Sequence, residues 1–404
     1  MTVADIASAP DYPMTRACPF DPPPDLVQVR NAAPITKVRI WDGSTPWLVT
    51  SFDDVRAVLG DPRVSADIDK PGYPRVSEGI AARPDESKAF VNMDDPEHAA
   101  HRAALIRDFT VRRMETMRPR IQSIVDGLID KMLAGSPPGD LVDQFALPLP
   151  SMVICEILGV PYEDRDFFHA ISRTIITRES TPEQSVKAFD DFLAYLGDLV
   201  EAKNANPADD VFSHIAVERL RTGKLSRREI APMAAVLLVA GHETTASMIA
   251  IGTALLFEHP EQLRTLRESD DSELVASAVE ELLRYLTIVH AGRRRVALED
   301  IEVGGQLIRK GEGIIVSIDM ANRDESAIPD PDRLDITRGD RNHMAFGFGV
   351  HQCLGQNLAR VELQVAFGTL FRRIPTLGPV KPTDELDFKP DGEVYGMGSL
   401  PVRW

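Results

Sequence analysis

A long apolar run at residues 231–257 leaves this chain few possible architectures, because it is long enough to cross a lipid bilayer. The middle of the run, however, reads Gly-His-Glu-Thr-Thr at residues 241–245. Ionisable groups at the midplane of a bilayer are energetically costly and rare. We therefore predict a helix that is buried on all sides in the core of a large soluble protein.

Composition agrees with a soluble globular protein. Of 404 residues, 43% are hydrophobic and 26% are charged, and the net charge of −17 argues against nucleic acid as the main partner. The cysteines Cys18, Cys155 and Cys353 are too few for a disulfide framework, so we expect a reducing, cytoplasmic environment. Residues 1–24 contain prolines and acidic residues without an apolar segment, so we expect neither a signal peptide nor a membrane anchor.

Hydrophobic periodicity predicts helices along most of the chain and strands in two places. We expect a β-hairpin at residues 38–49 and further strands at residues 295–318. Helices are expected at residues 96–134, 145–158, 231–257 and 273–286, and at residues 167–203 with a break near Pro182. A last helix is expected to follow a loop that contains Cys353 and to end at about residue 371. The predicted fold class is mainly α with small β-sheets, in one continuous domain over residues 1–404.

The cysteine loop, residues 346–355, reads Phe-Gly-Phe-Gly-Val-His-Gln-Cys-Leu-Gly and precedes a helical pattern. A Cys353 thiolate would face the unpaired N–H groups of that helix, which stabilise a charged sulfur. Gly347, Gly349 and Gly355 remove side chains where a flat macrocycle would lie against the backbone. The loop therefore predicts a cysteine thiolate as an axial ligand to haem iron.

Two other interpretations of the loop remain open. A structural zinc site could use His343, His351 and Cys353, but one cysteine without a CxxC partner is a poor ligand set. A catalytic cysteine–histidine pair is the other alternative. The glycines and phenylalanines around the cysteine suit a flat apolar cofactor better than either alternative.

The apolar helix carries a second candidate site. At helical spacing Leu237, Ala240 and Thr244 share one face, and Ala240 and Gly241 are small where a bulky ligand would press on the helix. The Thr244 hydroxyl can bond the carbonyl of residue 240 and bend the helix locally. The expected result is a groove with a hydroxyl and the Glu243 carboxylate at hand. The alternative is a core helix whose polar residues bond to neighbouring elements.

Glu281 and Arg284 form a third pattern, on the amphipathic helix at residues 273–286. Both residues fall outside its apolar stripe. Periodicity alone therefore predicts an exposed ion pair, which would contribute roughly 0.2–0.5 kcal/mol.

These three segments resemble the motifs of cytochromes P450. The cysteine loop has every fixed position of the haem-binding signature FGxGxHxCxG, residues 240–245 resemble the oxygen-binding motif [AG]Gx[DE]T[TS], and residues 281–284 resemble the ExxR motif. The resemblance covers essentially the whole chain and is closest to soluble bacterial P450s of the actinomycete type, which hydroxylate secondary metabolites and xenobiotics. It implies the P450 fold, with haem b (iron protoporphyrin IX) between the buried helix and the helix after the cysteine loop.

The resemblance also implies roles for individual residues. Cys353 is the iron ligand, Thr244 stabilises bound dioxygen, and Glu243 relays protons. The Glu281–Arg284 pair is internal rather than exposed, and Arg333 completes it. Haem contacts are expected from Phe346, Gly347, Gly355, Ala240 and Gly241, and propionate contacts from His98, Arg102, Arg295 and His351. Substrate contacts are expected from Leu237, Ile288, Val289, His290, Tyr395 and Met397, and a wide mouth from the loop at residues 67–88 with Tyr73, Arg75 and Arg83.

The function that follows from the resemblance is a monooxygenase that hydroxylates a fairly large hydrophobic molecule, such as a macrolide, a steroid-like compound or another polycyclic compound. Its co-substrate is O₂, and its electrons come from a ferredoxin and a ferredoxin reductase. We expect a monomer, with a ferredoxin docking patch made by Arg102, Arg107, Arg112, Arg113 and Arg360. The alternatives are an H₂O₂-dependent peroxygenase, against which the intact Glu243–Thr244 pair argues, and a non-catalytic haem-thiolate sensor or binding protein.

Overall fold

The structure is a computed structural model that describes residues 9–82, 88–177, 179–389 and 394–404. Helices dominate the described residues and strands are short, as the sequence predicts. The α-helices are Pro24–Ala32, Phe52–Gly60, Glu78–Ala81, Glu97–Leu105, Val111–Ala134, Pro148–Leu158, Arg165–Ile176, Pro182–Ala205, Val211–Ile215, Arg227–Glu258, Pro260–Glu268, Ser272–Leu286, Ile318–Ala321 and Gln356–Arg373.

The largest sheet has five strands, in the order Ile35–Lys37, Trp47–Val49, Gly313–Val316, Arg293–Ala297 and Val64–Ser65. The first two strands form an antiparallel pair with Ile35 opposite Val49, and the first of them lies just before the range of residues 38–49 in which the hairpin is predicted. Trp47 then pairs in parallel with Ile314. The smaller sheets pair Asp387–Lys389 with Gly396–Ser399, Ile301–Val303 with Gln306–Ile308, and Pro401–Arg403 with both Gly139–Asp140 and Gly378–Pro379.

The predicted apolar helix is the Arg227–Glu258 helix, called the central helix below. Ser226 begins it with a capping box, in which its hydroxyl accepts from the Glu229 N–H and the Glu229 side chain accepts from the Ser226 N–H. Its neighbours are the Pro148–Leu158, Pro182–Ala205, Ser272–Leu286 and Gln356–Arg373 helices. Among the described residues it is the one helix long and apolar enough to cross a membrane, but most of that stretch is buried in the protein. It is therefore a core helix, as its central polar residues predict.

Several predicted helices are interrupted where the sequence gives a local reason. The helical pattern at residues 96–134 divides into Glu97–Leu105, a short 3₁₀ turn at Ile106–Phe109 and Val111–Ala134, because Thr110 caps the last helix. The Pro148–Leu158 helix ends at Gly159, whose φ of +80° is the left-handed conformation that glycine favours at a helix C-terminus. These interruptions leave the predicted order of elements unchanged.

Candidate active site

A cavity of about 490 Å³ lies between the central helix and the cysteine loop, residues 346–355. Cys353 and the first turns of the Gln356–Arg373 helix form one wall, and the opposite wall is the middle of the central helix. Other parts of the wall come from residues 287–289 and 291–295, from residues 73–80 and 90–92, and from two phenylalanines of the Pro182–Ala205 helix, Phe189 and Phe192. The residues singled out in the two sequence motifs therefore face each other across one space.

Backbone geometry fixes the position of Cys353. Its N–H donates to the Phe346 carbonyl at 2.9 Å, which closes the loop. Gly349 has a φ of +73°, and a Cβ there would lie 2.5 Å from the Leu59 carbonyl oxygen, so only glycine fits. Cys353 is partly exposed, but the protein surrounds it and its accessible surface faces the cavity. The sulfur is thus held against the cavity and away from bulk solvent.

The charge environment of Cys353 combines two opposing effects. Burial raises the pKa of the thiol, while the Gly355 N–H and the charges of Arg293, Arg102 and Arg360 act in the opposite direction. The helix behind it begins at Gln356, so its positive end faces the sulfur as the sequence predicts. These donors are suited to stabilise the thiolate once a metal replaces its proton.

Two features of the cavity wall fit a flat macrocycle. A Cβ built on Gly347 or Gly355 would meet no other atom within 4 Å, so both glycines border open space. Ala240 is exposed to the cavity on the opposite wall. Gly241 has a second role that the sequence did not indicate, since a Cβ there would lie 2.6 Å from Ile154 and force the two helices apart.

Arg102, Arg295 and His351 border one side of the cavity, and the buried His98 packs against His351 outside the cavity wall of the described residues. The rings of His98 and His351 lie 4.1 Å apart, and Nη2 of Arg102 donates to the Gln352 carbonyl at 2.7 Å. Within the described part of the chain, neither Arg102 nor Arg295 has an ion-pair partner, and Nε2 of buried His98 has no hydrogen-bond partner. Burial, together with the charges of Arg295, His98 and Arg102, lowers the pKa of His351 to about 3. Asp95 lies 2.9 Å from Nδ1 of His98, but no carboxylate among the described residues pairs with Arg102 or Arg295, so a group carrying carboxylates, such as the haem propionates, fits beside these arginines.

Thr244 makes the hydrogen bond that the sequence predicts. Its Oγ1 donates to the Ala240 carbonyl at 2.7 Å, and the side chain borders the cavity. The adjacent Glu243 also lines the cavity. Burial would raise the pKa of Glu243, but contact with His242 and the charges of His242, Lys389 and His169 outweigh it and lower the pKa. The cavity therefore has a fixed hydroxyl beside an ionised carboxylate.

Glu281 and Arg284 are buried, as the family resemblance implies and periodicity does not. Arg284 also donates to the carbonyls of Asn322 and Pro331, at 2.9 and 2.7 Å. Asn322 in turn accepts the Met344 N–H at 2.7 Å. The ion pair is thereby connected to the segment that leads into the cysteine loop.

The expectation for Arg333 is wrong as to its side chain. That side chain is 68% exposed and lies 3.6 Å from Asp335, while only the Arg333 carbonyl accepts from Arg284. The guanidinium that reaches the pair is that of Arg338, whose Nε lies 3.3 Å from Glu281. Arg333 lies in a turn that directs its side chain to solvent, and the sequence motif contained no signal for the more distant Arg338.

The substrate contacts are only partly as expected. Leu237, Ile288 and Val289 line the cavity. Within the described residues, however, His290, Tyr395 and Met397 lie outside its wall and are buried. These three predictions are wrong in their direction, because Tyr395 and Met397 are turned into the core and His290 packs against the Tyr395 ring.

Packing explains why Tyr395 faces away from the cavity. Its ring stacks on Phe388 at 5.8 Å, contacts the His290 ring at 5.3 Å, and lies under the Arg16 guanidinium. Burial raises the pKa of Tyr395 to about 12. The neighbouring Val394 takes the place at the cavity wall, and Tyr73 and Arg75 of the mouth loop also border it. Arg83 lies outside the described residues.

The predicted docking patch is mostly engaged in ion pairs. Arg107 pairs with Glu218 and Asp108, and Arg113 pairs with Asp108 and Asp209. Arg360 donates to both oxygens of buried Glu280 and lies over the Phe346 ring. Arg102 faces the cavity. Among these five arginines, Arg112 alone is exposed without an ion pair in the described part of the chain.

One cavity residue was not foreseen. Glu362 is fully buried, borders the cavity, and has no hydrogen-bond partner for either carboxylate oxygen among the described residues. Burial raises its pKa well above the ordinary value. The helical pattern after the cysteine loop gave no reason to place an acid on its buried side.

The cavity, the cysteine on one wall, the cationic cluster and the threonine–acid pair together define a haem-thiolate oxygenase. The chain matches the family model described as Cytochrome P450 over residues 34–386. It is 49% identical to cytochrome P450-SU2 of Streptomyces griseolus, with 100% of each chain covered. It is 44% identical to the vitamin D3 dihydroxylase of the same organism, covering 100% of this chain and 99% of the relative.

The solved structures agree. The mycinamicin VIII C21 methyl hydroxylase MycCI from Micromonospora griseorubida, bound to mycinamicin VIII, superposes with a TM-score of 0.92 at 40% identity. The superposition covers 98% of this chain and 100% of the hydroxylase. This chain belongs to the cytochrome P450 family. It is a P450 monooxygenase with the P450 fold, and its cofactor is haem b, bound through a cysteine thiolate.

Proposed function

We propose that this monooxygenase hydroxylates a fairly large hydrophobic molecule of the macrolide, steroid-like or other polycyclic class. The observation that carries the proposal is the apolar wall formed by Leu237, Ile288, Val289 and Val394 beside Thr244. Two relatives whose names state a vitamin D3 and a mycinamicin substrate support the same class. Tyr73 and Arg75 at the mouth add polar atoms that can orient a functionalised substrate.

Haem b, when bound, supplies the activation of O₂ and the oxidising power for hydroxylation. We assign Cys353 as its iron ligand, and Arg102, Arg295, His98 and His351 as the groups that hold its propionates. The chain's own contribution is to hold the substrate beside the cofactor, to exclude water with apolar side chains, and to supply protons at defined atoms.

Thr244 and Glu243 are the residues we assign to proton supply. Because Oγ1 of Thr244 donates its proton to the Ala240 carbonyl, its lone pairs are left to accept a hydrogen bond from within the cavity. Glu243 is one residue away and can pass protons to the groups that Thr244 orients. An enzyme that uses O₂ needs such a path, whereas a peroxygenase does not.

For the electrons, we propose an acidic ferredoxin with its reductase. The support is the exposed Arg112 at the start of the Val111–Ala134 helix, next to Val111, which is 62% exposed. Asn357, on the helix after the cysteine loop, bonds the Phe109 carbonyl at 3.0 Å, so this surface is close to the cysteine. Reduction rates should fall as ionic strength rises, and with Arg112→Ala. Rates that do not depend on salt would contradict this docking surface.

The function is tested by spectroscopy and turnover of the purified holoenzyme. Carbon monoxide bound to the reduced protein should give the red-shifted Soret band of thiolate-ligated haem, and a band typical of histidine ligation would contradict the assignment of Cys353. A compound panel screened for the high-spin spectral shift should select large hydrophobic molecules. Product should form with ferredoxin, reductase and NAD(P)H. Turnover with H₂O₂ alone would favour the peroxygenase alternative, and tight binding without product would favour a sensor.

A further inference from the structure

His242 is fully buried, and one hydrogen bond fixes its protonation pattern. Its Nδ1 lies 2.7 Å from the carbonyl oxygen of Leu238. A carbonyl oxygen only accepts, so Nδ1 carries a proton and donates it. Nε2 is therefore the atom at which His242 gains or loses a proton.

Nε2 of His242 faces Glu243. It lies 3.4 Å from Oε1 of that residue and has no hydrogen-bond partner with good geometry among the described residues. A neutral imidazole presents a lone pair at Nε2, and an ionised carboxylate presents only lone pairs. Two buried acceptors repel each other unless a proton lies on one of them. The two atoms are therefore placed to pass a proton from the imidazole to the carboxylate.

The charges around the pair favour the ionised form of Glu243. Burial would raise the pKa of Glu243, but contact with His242 and the charges of His242, Lys389 and His169 together lower it. Glu243 is thus ionised at neutral pH, and its Oε1 can accept a proton that is passed along Nε2 of His242.

A second histidine lies behind the first, on the Arg165–Ile176 helix. The rings of His169 and His242 are 5.1 Å apart between centres. Nε2 of His169 is 2.8 Å from Oγ of Ser151, whose hydroxyl proton is donated to the Leu147 carbonyl. His169 must therefore be the donor to Ser151, which leaves its Nδ1 to accept a proton.

His169 has the properties of a group that transfers protons rather than one that stores them. It is half-buried, so part of the ring reaches solvent, whereas His242 is fully enclosed. Burial and the charge of His242 lower the pKa of His169 to about 4, while Glu243 and Asp166 oppose the shift and Arg165 adds to it. At neutral pH His169 is uncharged and able to take up a proton transiently.

We propose that His169 and His242 form the path by which a proton from solvent reaches Glu243. The inference rests on the proposed role of Glu243 in proton supply. In each turnover Nε2 of His242 takes up a proton that comes from solvent through His169 and passes it to Oε1 of Glu243, and Glu243 then releases a proton into the cavity. Only protons move in these steps. The distance between the rings suits transfer through one water molecule or a small ring rotation.

The test uses holoenzyme variants His242→Gln and His169→Gln. Glutamine places an amide N–H near the position of Nε2 but cannot take up a proton, so hydrogen bonding is kept and transfer is lost. The matched control is His259→Gln, at the C-terminal end of the same helix and away from the cavity. The carbon monoxide spectrum of each variant checks folding and haem ligation.

Two readouts are expected to change together. His242→Gln should lower product formation about 10- to 100-fold, with more H₂O₂ released per NAD(P)H and a larger solvent deuterium isotope effect. His169→Gln should shift both in the same direction by less, and the control should match the wild type. Independently of turnover, NMR of histidine-labelled, CO-bound ferrous protein should show solvent exchange of the His242 ring protons that becomes slower in His169→Gln.

The outcomes separate the inference from the function on which it rests. If His242→Gln and His169→Gln form as much product per NAD(P)H as the wild type, while Glu243→Gln forms less, the path is overturned and the role of Glu243 is left intact. If Glu243→Gln also forms as much product per NAD(P)H as the wild type, the proposed role of Glu243 in proton supply is itself contradicted. If His242→Gln does not fold, the His169→Gln variant and the NMR exchange rates of the His242 ring protons decide.

Discussion

Arg284 donates from Nε and Nη2 to the two carboxylate oxygens of Glu281, at 2.7 and 2.9 Å, in a pair whose side chains are each 1% exposed. Buried bidentate pairs of this kind are costly to break, because the remaining charge is left in a medium of low polarity. Since Arg284 also bonds the carbonyls of Asn322, Pro331 and Arg333, it joins the Ser272–Leu286 helix to the segment before the cysteine loop.

Arg284→Ala should destabilise the protein by about 3–5 kcal/mol, because Glu281 would remain buried with only Arg338 nearby. We expect little haem-loaded protein and an early unfolding transition in urea. Haem content per chain and the urea midpoint measure the effect. A variant with wild-type haem content and midpoint would contradict the role of the pair.

Arg338 and Arg333 give a matched comparison for the third member of the pair. Arg338→Ala removes the guanidinium 3.3 Å from Glu281 and should destabilise by about 1–3 kcal/mol. Arg333→Ala removes an exposed side chain and should stay within about 0.5 kcal/mol of the wild type. Equal destabilisation by both variants would contradict the assignment of Arg338 in place of Arg333 as the third member of the ion pair.

Thr244→Ala should separate electron consumption from product formation. Without the hydroxyl, the cavity loses the acceptor that orients a proton beside Glu243, so product per NAD(P)H should fall at least about 10-fold and H₂O₂ should rise. Thr253→Ala is the control, since Thr253 is buried in the same helix but lies outside the cavity wall. A wild-type yield of product per NAD(P)H in Thr244→Ala, with a lower yield in Thr253→Ala, would contradict the assignment.

Glu362→Gln should change how stability depends on pH. Burial raises the pKa of Glu362 in the folded protein above its ordinary value of 4.5, so the folded state binds this proton more tightly than the unfolded state. The contribution of that proton to stability is complete below about pH 4.5 and is lost as the pH rises towards the folded pKa. The glutamine variant should therefore gain on the wild type by up to about 1.4 kcal/mol per pH unit over this window.

Melting temperatures of the holoproteins at several pH values between about 5 and 8 measure this difference. Glu302→Gln is the control, because Glu302 is exposed in a strand and should show no such trend. A difference between wild type and Glu362→Gln that stays constant with pH would mean that Glu362 is ionised in the folded protein.

Leu237→Ala should alter the site or stereochemistry of oxidation, because Leu237 lines the cavity on the same helix face as Thr244. His290→Phe should leave both unchanged, since His290 lies outside the described cavity wall and packs against Tyr395. Product analysis with any substrate from the compound panel makes the comparison. A changed product with His290→Phe and an unchanged one with Leu237→Ala would reverse the assignment of the wall.

Most of the fold was predictable because its signals are local. The apolar run with polar residues at its centre predicted a core helix. The start of the Pro182–Ala205 helix was marked by Pro182 and by Thr181, which forms a capping box with Gln184. The Thr244–Ala240 hydrogen bond was predictable for the same reason, because it joins residues one helical turn apart. The 3₁₀ turn at Ile106–Phe109 was missed although Thr110 marks the start of the next helix, because the helical pattern of apolar residues continues across the break.

The sequence by itself determined the iron ligand, the cofactor and the polar interruption of the central helix, because each depends on residue types at short, fixed spacings. The tertiary structure alone decided which side chains are enclosed. The Ser272–Leu286 helix packs against several neighbouring helices, so Glu281 and Arg284 are buried as well as its apolar stripe. Hydrophobic periodicity predicts only the buried face that the apolar stripe forms. In the same way, packing of the segment before the Gly396–Ser399 strand placed Tyr395 in the core and Val394 at the cavity. Only the folded chain brought Arg338, rather than Arg333, to Glu281.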